Sequence, residues 1–444
     1  MTLTRFSRHA IVVAALTISA VGLASMQGPA ASPEALGFSP ARLRHIDTFM
    51  QEAVDGGRLA GVVALITRRG QVAHFKAYGM QDRERAIPMR TDTIFRVASM
   101  TKTPTSIAMM MLVEEGKVLL GDPVSKFIPA FKNTTVAILA PPQAPAGTPP
   151  FTVVPAKREI RIHDLLSKTA GMGYPPAHLR ATYAPLNLHS FYFADKDVPM
   201  ATTIEQIAGM PFTSHPGEKY ENGFATDVAG VVIEKASGMS LDQFFRTRIF
   251  TPLKMTDTSF FLPKEKVSRL ATVYAAQSDG TITRGENHSS RGQGHFVDGP
   301  GVAFSGGGGL LSTATDYNRM VQLLLNEGEL DDVRLLAPKT VRLMLSNQVG
   351  DSYQNPGFGR LGFGYGFELT LDPAGAHHLG SPGDFGYRSA YFTRYMGDPV
   401  EQLSTIFLAQ LSNYGGSSDL HYRFRSLVYG ALVEPAKAPS HSAH

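Results

Sequence analysis

Ser99 and Lys102 stand three residues apart in Ser99-Met100-Thr101-Lys102, between an extended apolar segment, Thr93–Ala98, and a strongly helical one, Thr105–Glu115. Two side chains at that spacing at the start of a helix share one face. The serine also meets the free N–H groups and the positive end of the helix. A hydroxyl is a poor nucleophile at neutral pH, and an adjacent amine can take its proton. The pair therefore reads as a serine nucleophile with a lysine proton acceptor. Other chemistries lack their residues. There is no convincing Gly-x-Ser-x-Gly elbow and no His-Glu-x-x-His, and His377-His378 alone is too little for a metal site. The run Gly306–Gly309 lacks the lysine and hydroxyl residue of a phosphate loop, so it reads as a tight backbone segment. Asp331-Asp332 and Glu114-Glu115 read as solvated surface carboxylates. No cofactor and no metal is required.

The elements that must hold this pair begin with an amphipathic helix over 40–57, carrying Leu43, Ile46, Phe49, Met50 and Ala53 at helical spacing. Gly61–Thr67 and Gln71–Phe75, joined by Arg68-Arg69-Gly70, predict a β-hairpin. The prolines between 134 and 160 predict a long irregular connection. A short helix follows at Ile162–Leu166. Residues 173–200, with Tyr174, Tyr183, Phe191, Tyr192 and Phe193, read either as a surface loop or as an aromatic wall for an apolar pocket. Residues 202–250 are mostly helical, and 276–304 are polar and glycine-rich. The glycine run then leads into a helix over Tyr317–Leu325. Strand-like stretches follow at Tyr365–Leu371, Ser389–Arg394 and Leu403–Gln410, before a terminal helix near 419–432.

The chain has 444 residues, with 42 basic and 38 acidic ones, and no cysteine or tryptophan. The length allows one large or two medium units. Disulfides, cysteine nucleophiles and thiolate metal sites are excluded. A net charge of +4 without a basic stripe gives no reason to expect nucleic acid as a partner. Arg5, Arg8 and His9 precede an apolar run, Ala10–Ala24, followed by small residues, which reads as a secretory signal over 1–30. The run is shorter than the roughly 20 residues of a membrane span, so no stable membrane insertion is expected. The expected organisation is a discontinuous α/β domain from 31–130 and 300–435, a mainly helical domain with pocket-lining loops at 131–299, and a disordered tail at 436–444.

The ordered motifs resemble those of serine β-lactamases and penicillin-binding proteins, and most nearly the serine esterases similar to class C β-lactamases. The stretches that carry this are Ser99–Lys102, Arg161–Gly171, Phe212–Gly230 with Pro216-Gly217 and Asp227–Gly230, and Gly307–Tyr317. The resemblance spans roughly 40–432. It implies an α/β plus all-α architecture: a β-lactamase/transpeptidase-like fold, with an antiparallel sheet flanked by helices and an inserted helical unit. It also implies a covalent acyl-enzyme on Ser99, with Lys102 taking or sharing the proton. Relatives place a catalytic tyrosine five residues after the glycine of Pro-Gly. Here that position is Asn222, and Tyr220 stands two residues before it. Either Tyr220 is the catalytic tyrosine in a shifted loop, or it is a packed aromatic and Asn222 takes its place. The third motif is matched by His378-Leu379-Gly380, followed by Ser381. By the resemblance, the N–H groups of Ser99 and Ser381 form an oxyanion hole, His378 orients substrate and Gly380 lets the strand approach it; otherwise His378 is a loop histidine.

A histidine is a weaker carboxylate anchor than the lysine found in many relatives. The expected activity is therefore that of a serine carboxylesterase acting on a small-molecule ester, in the periplasm after signal cleavage. A β-lactamase or D-amino-acid peptidase and a catalytically weakened binding protein on the same fold are the alternatives.

Overall fold

The computed structural model describes residues 31–145, 147–188, 193–289, 292–353, 360–415 and 419–436. The expected signal, Phe191, Tyr192 and most of the expected tail lie outside them. Residues 31–444 cluster as one compact unit. Among the described residues no helix is long and apolar enough to cross a membrane.

An eight-stranded antiparallel sheet forms the frame. Its strands are β1 (Gly61–Arg68), β2 (Gln71–Asp82), β3 (Ile87–Pro88), β4 (Leu361–Phe363), β5 (Glu368–Thr370), β6 (Phe385–Arg388), β7 (Thr393–Asp398) and β8 (Leu403–Ala409), in the order β4-β5-β6-β7-β8-β1-β2-β3. Both chain ends thus meet at β1 and β8, where Val62 pairs with Ala409 and Ile66 with Thr405. The β1–β2 hairpin turns through Arg69 and Gly70, both with positive φ, which suits the twist of a tight hairpin. β1 is buried along its whole length because both sheet faces are covered. Side chains alternate along a strand, so one sheet feeds two cores. Val63, Leu65, Tyr387, Tyr395 and Ile406 pack with α2 (Lys102–Glu114), whereas Val62, Ala64, Met396 and Phe407 pack with α1 (Pro40–Asp55) and the terminal helix.

α2 is buried from Lys102 to Leu112, as expected of a helix that is apolar nearly all round. Against it lies α4 (Ala225–Ser237), on which α3 (Ile162–Ser167) packs in turn, while α5 (Ala314–Leu325) covers the same sheet face and α6 (Asp419–Ala431) the other.

Two expectations change. Residues 134–160 are not irregular throughout: Thr135–Leu139 and Phe151–Pro155 pair as an antiparallel hairpin, and the prolines at 141, 142, 145, 149 and 150 fall in its connection. Ser389–Arg394 is strand only at its end, where Thr393 and Arg394 open β7. Ser389 N–H donates to the Thr393 carbonyl (2.9 Å), and Phe392 has φ +63, so this stretch is mainly the turn between β6 and β7.

Candidate active site

Ser99 lies half-buried in a 3₁₀ turn, Ala98–Thr101, that runs directly into α2. Ala98 has φ +41, a strained value for a residue with a Cβ, and it turns the chain sharply between the extended segment and the helix. Lys102 Nζ lies 3.1 Å from Ser99 Oγ and also donates to the Gly307 carbonyl. That is the contact a nucleophile and its base require. Lys102 is fully buried, and desolvation lowers its pKa to about 8, with the Asp227 carboxylate opposing the shift.

The glycine run holds this turn in place. Thr105 Oγ1 donates to the Gly306 carbonyl (2.7 Å), Leu310 N–H donates to Thr101 Oγ1 (3.0 Å), and Tyr317 Oη donates to the Met100 carbonyl (2.7 Å). Asp227 on α4 accepts from Ser305 Oγ (2.6 Å) and Gly307 N–H (3.0 Å). A Cβ at Gly307 would sit 2.5 Å from Asp227 Oδ2, so only glycine lets the carbonyl that binds Lys102 lie here. Burial raises the Asp227 pKa, and those donors and Lys102 oppose the rise.

A second buried lysine enters the site. Lys168 follows α3 in the left-handed region, φ +59. The turn is organised by Asp164, which accepts from Arg158 at 2.6 and 2.9 Å and from Arg161 N–H at 2.8 Å. Lys168 Nζ donates to Tyr387 Oη of β6, to Asn222 Oδ1 (3.2 Å) and to Tyr220 Oη (3.3 Å). It lies 4.4 Å from the Tyr387 ring centroid and 4.6 Å from that of Phe363. Burial and the charge of Lys102 push its pKa well below the usual lysine value, with Glu368 opposing.

The segment bearing Tyr220 and Asn222 is zipped against the segment bearing Lys168. Glu221 N–H donates to the Lys168 carbonyl (2.8 Å), Tyr174 N–H to the Asn222 carbonyl (3.3 Å), and Phe224 N–H to the Met172 carbonyl (3.1 Å). A Cβ at Gly223 would lie 1.8 Å from the Met172 carbonyl oxygen. Two residues apart on an extended chain, Tyr220 and Asn222 share a face. Both therefore reach the same amine. Tyr220 is also packed, with its ring edge-on to Tyr353 at 4.7 Å and tilted against Phe363 at 4.9 Å. No hydrogen bond among the described residues joins Tyr220 to Ser99 or Lys102.

The third-motif expectation is not realised at this cleft. His378 hydrogen-bonds Thr370 (3.1 Å), and the Leu379 carbonyl accepts from Arg425 of α6. Ser381 N–H points at Asp384 Oδ2 (3.3 Å), which pairs with Arg425. A Cβ at Gly380 would strike Arg425 and Asp384, so the close approach there is to those two side chains and not to a substrate. His378, Gly380 and Ser381 are thus tied to α6, which covers the sheet face away from α2. Strands β6 and β7 both pack on the Ser99 turn, and the β6 side chain that meets Lys168 is Tyr387. Burial and neighbouring Arg425 and Arg394 lower the His378 pKa to about 4, so it is neutral at pH 7.

Lys168 lies inside the Arg161–Gly171 stretch without a role that the sequence assigns, and Tyr387 belongs to none of the motifs. Neither has a local signal: 219 residues separate the two partners. The structure also assembles one group with metal-ligand spacing that motif searching missed. His288 and His295 meet at 3.3 Å between Nδ1 atoms, and each lies 3.5 Å from an Asp298 oxygen. His288 and Asp298 border a cavity of about 390 Å³ that Ser99 does not line.

Comparison with known proteins bears on the family and the fold. Residues 46–429 match the Beta-lactamase family. Protein Rv1367c of Mycobacterium tuberculosis is 33% identical over 374 residues, covering 81% of this chain and 88% of its own. Esterase EstB of Burkholderia gladioli is 28% identical, covering 91% and 100%. The solved structure of EstCE1, described as a hydrolase with promiscuous acyltransferase activity, superposes with a TM-score of 0.74 at 27% identity, covering 88% and 99%. The sheet and its helices form a β-lactamase/transpeptidase-like fold, and the chain belongs to the Beta-lactamase family.

Proposed function

We propose that this protein is a serine hydrolase that cleaves carboxylic esters through a covalent acyl-Ser99 intermediate. The observation that carries the reading is the 3.1 Å contact between Ser99 Oγ and a buried Lys102 amine whose pKa lies near 8. At neutral pH roughly a tenth of such an amine is free base, which is enough to accept the serine proton. The similarity to EstB and EstCE1 supports ester cleavage. So does the wall of the site: Tyr220, Tyr353, Phe363 and Tyr387 form a packed aromatic cluster suited to an uncharged acyl group. Lys168 is enclosed by that cluster and engaged by three side chains, so it is a poor anchor for a substrate carboxylate.

The test is p-nitrophenyl butyrate with the unmodified protein and Ser99→Ala, following p-nitrophenol release and intact mass. The expected result is steady turnover and an adduct of one butyryl group, both abolished in Ser99→Ala. Turnover that survives Ser99→Ala would remove the serine mechanism. Faster turnover of a cephalosporin or a D-alanyl peptide than of any neutral ester would move the assignment to the β-lactamase or peptidase reading.

A further inference from the structure

The position five residues after Gly217, where the resemblance implies a tyrosine, is Asn222, yet ester hydrolysis still needs a group that gives a proton to the departing alcohol and later takes one from water. An amide can do neither. The same place holds an amine instead. Asn222 offers its side-chain oxygen to Lys168 Nζ, and Tyr220 and Tyr387 direct their hydroxyls at the same atom. Three polar groups, from two separate segments, converge on one buried nitrogen. A lysine held only for packing would not gather them.

We propose that Lys168, coupled to the Tyr387 hydroxyl, is the second proton-transfer group of the site and works alternately with Lys102. The inference rests on the ester-hydrolase reading above. Its charge logic follows from geometry. Lys102 comes from α2 and Lys168 from the turn after α3; each is fully buried, and each lies within reach of the other's charge. The neighbouring titratable groups are Asp227 on α4, Glu368 on β5, Tyr220 and Tyr387. Two such amines favour holding one proton between them.

Acylation proceeds from the minor protonation state in which the shared proton sits on Lys168, where three side-chain oxygens accept from it, and Lys102 is neutral. Ser99 Oγ bonds to the acyl carbon as its proton passes to Lys102. The bond from carbon to the alcohol oxygen then breaks, and that oxygen takes a proton from Tyr387, which Lys168 replaces. Lys102 is now charged and Lys168 neutral. In deacylation water adds to the acyl carbon and gives its proton to Lys168 through Tyr387. The Ser99 Oγ–carbon bond breaks, and Oγ recovers its proton from Lys102. Ester and water become acid and alcohol, and both lysines return to their starting states.

The experiment compares p-nitrophenyl butyrate with ethyl butyrate in Lys168→Met and Tyr387→Phe. p-Nitrophenolate leaves without a proton, and ethoxide does not. For Lys168→Met the expected result is a burst of about one equivalent of p-nitrophenol followed by slow turnover, with the butyryl adduct accumulating on Ser99. With ethyl butyrate, kcat/KM falls on the order of 100-fold or more. Tyr387→Phe keeps the amine and covers the case in which Lys168→Met does not fold. It should lose at least about tenfold more activity toward the ethyl ester than toward the nitrophenyl ester. Equal losses of kcat/KM for the two esters in a folded variant would overturn the proposal, as would turnover of both esters within about threefold of the unmodified protein. If the unmodified protein forms no acyl adduct, the ester reading itself fails, and that is seen before any variant is made.

Discussion

At the scale of single residues, the site depends on keeping an amine uncharged beside a serine. Burial does this for Lys102, and Asp227 limits how far the shift goes. The sign of the pH dependence follows. The active form is the free amine, which grows as pH rises through about 8. For p-nitrophenyl butyrate, whose leaving group needs no proton, kcat/KM should therefore increase from pH 6.5 to 8.5 and then level off, under conditions where the protein remains folded. Asp227→Asn removes the opposing charge while keeping a hydrogen-bonding side chain. Its profile should shift to lower pH, by up to about one unit. A shift to higher pH, or a profile unchanged by the substitution, would mean that Lys102 is not the titrating base. Lys102→Ala should lower kcat on the order of 100-fold or more, with Ser99 still present.

At the scale of elements, the chemistry depends on backbone segments lying closer together than most side chains permit. The 168–174 and 220–224 segments are joined by three backbone hydrogen bonds, and Gly223 is in contact with the Met172 carbonyl. Gly223→Ala places a Cβ against main chain that cannot rotate away. It should lower Tm by several degrees and reduce activity more than tenfold, because Asn222 and Tyr220 would move off Lys168. Gly121→Ala, with open space around its Cβ, is the control and should change neither. What was legible in the sequence follows from the same geometry. The hairpin at Arg69-Gly70, the helix after Ser99 and the glycine run before α5 are announced by residues near one another in the chain. Ser99 and Lys102 were legible for that reason. Tyr387 and Lys168 were not, because only the sheet topology brings β6 to α3. His378-Leu379-Gly380 has the letters of a motif, but Arg425, 45 residues beyond Gly380, takes hold of it. The pairing of 135–139 with 151–155 was hidden because the many prolines between them resemble a continuous irregular connection.

At the scale of the whole molecule, the sheet separates two tasks. One face carries α2, the glycine run and the lysines. The other carries α1 and α6, which bring the two ends of the described chain together and bury Leu43, Ile46, Phe424 and Val428. The Arg425–Asp384 pair belongs to this second face, with both side chains under a tenth exposed. Arg425→Met would leave the Asp384 carboxyl buried without its ion partner. Breaking a buried pair from one side costs about 3–5 kcal/mol, far more than a surface pair contributes. The expected result is a clear loss in Tm and in denaturant midpoint. At 20 °C, where the protein is still folded, kcat/KM for p-nitrophenyl butyrate should stay within about threefold of the unmodified value. His378→Ala should behave in the same way, with a smaller loss of stability, because among the described residues its ring hydrogen-bonds Thr370 and no hydrogen bond joins it to the serine turn. A folded His378→Ala protein with a hundredfold lower kcat would return this histidine to the active site. Stability lost while activity is kept, in both variants, would place the role of that corner in closing α6 onto the sheet rather than in the chemistry on its far side.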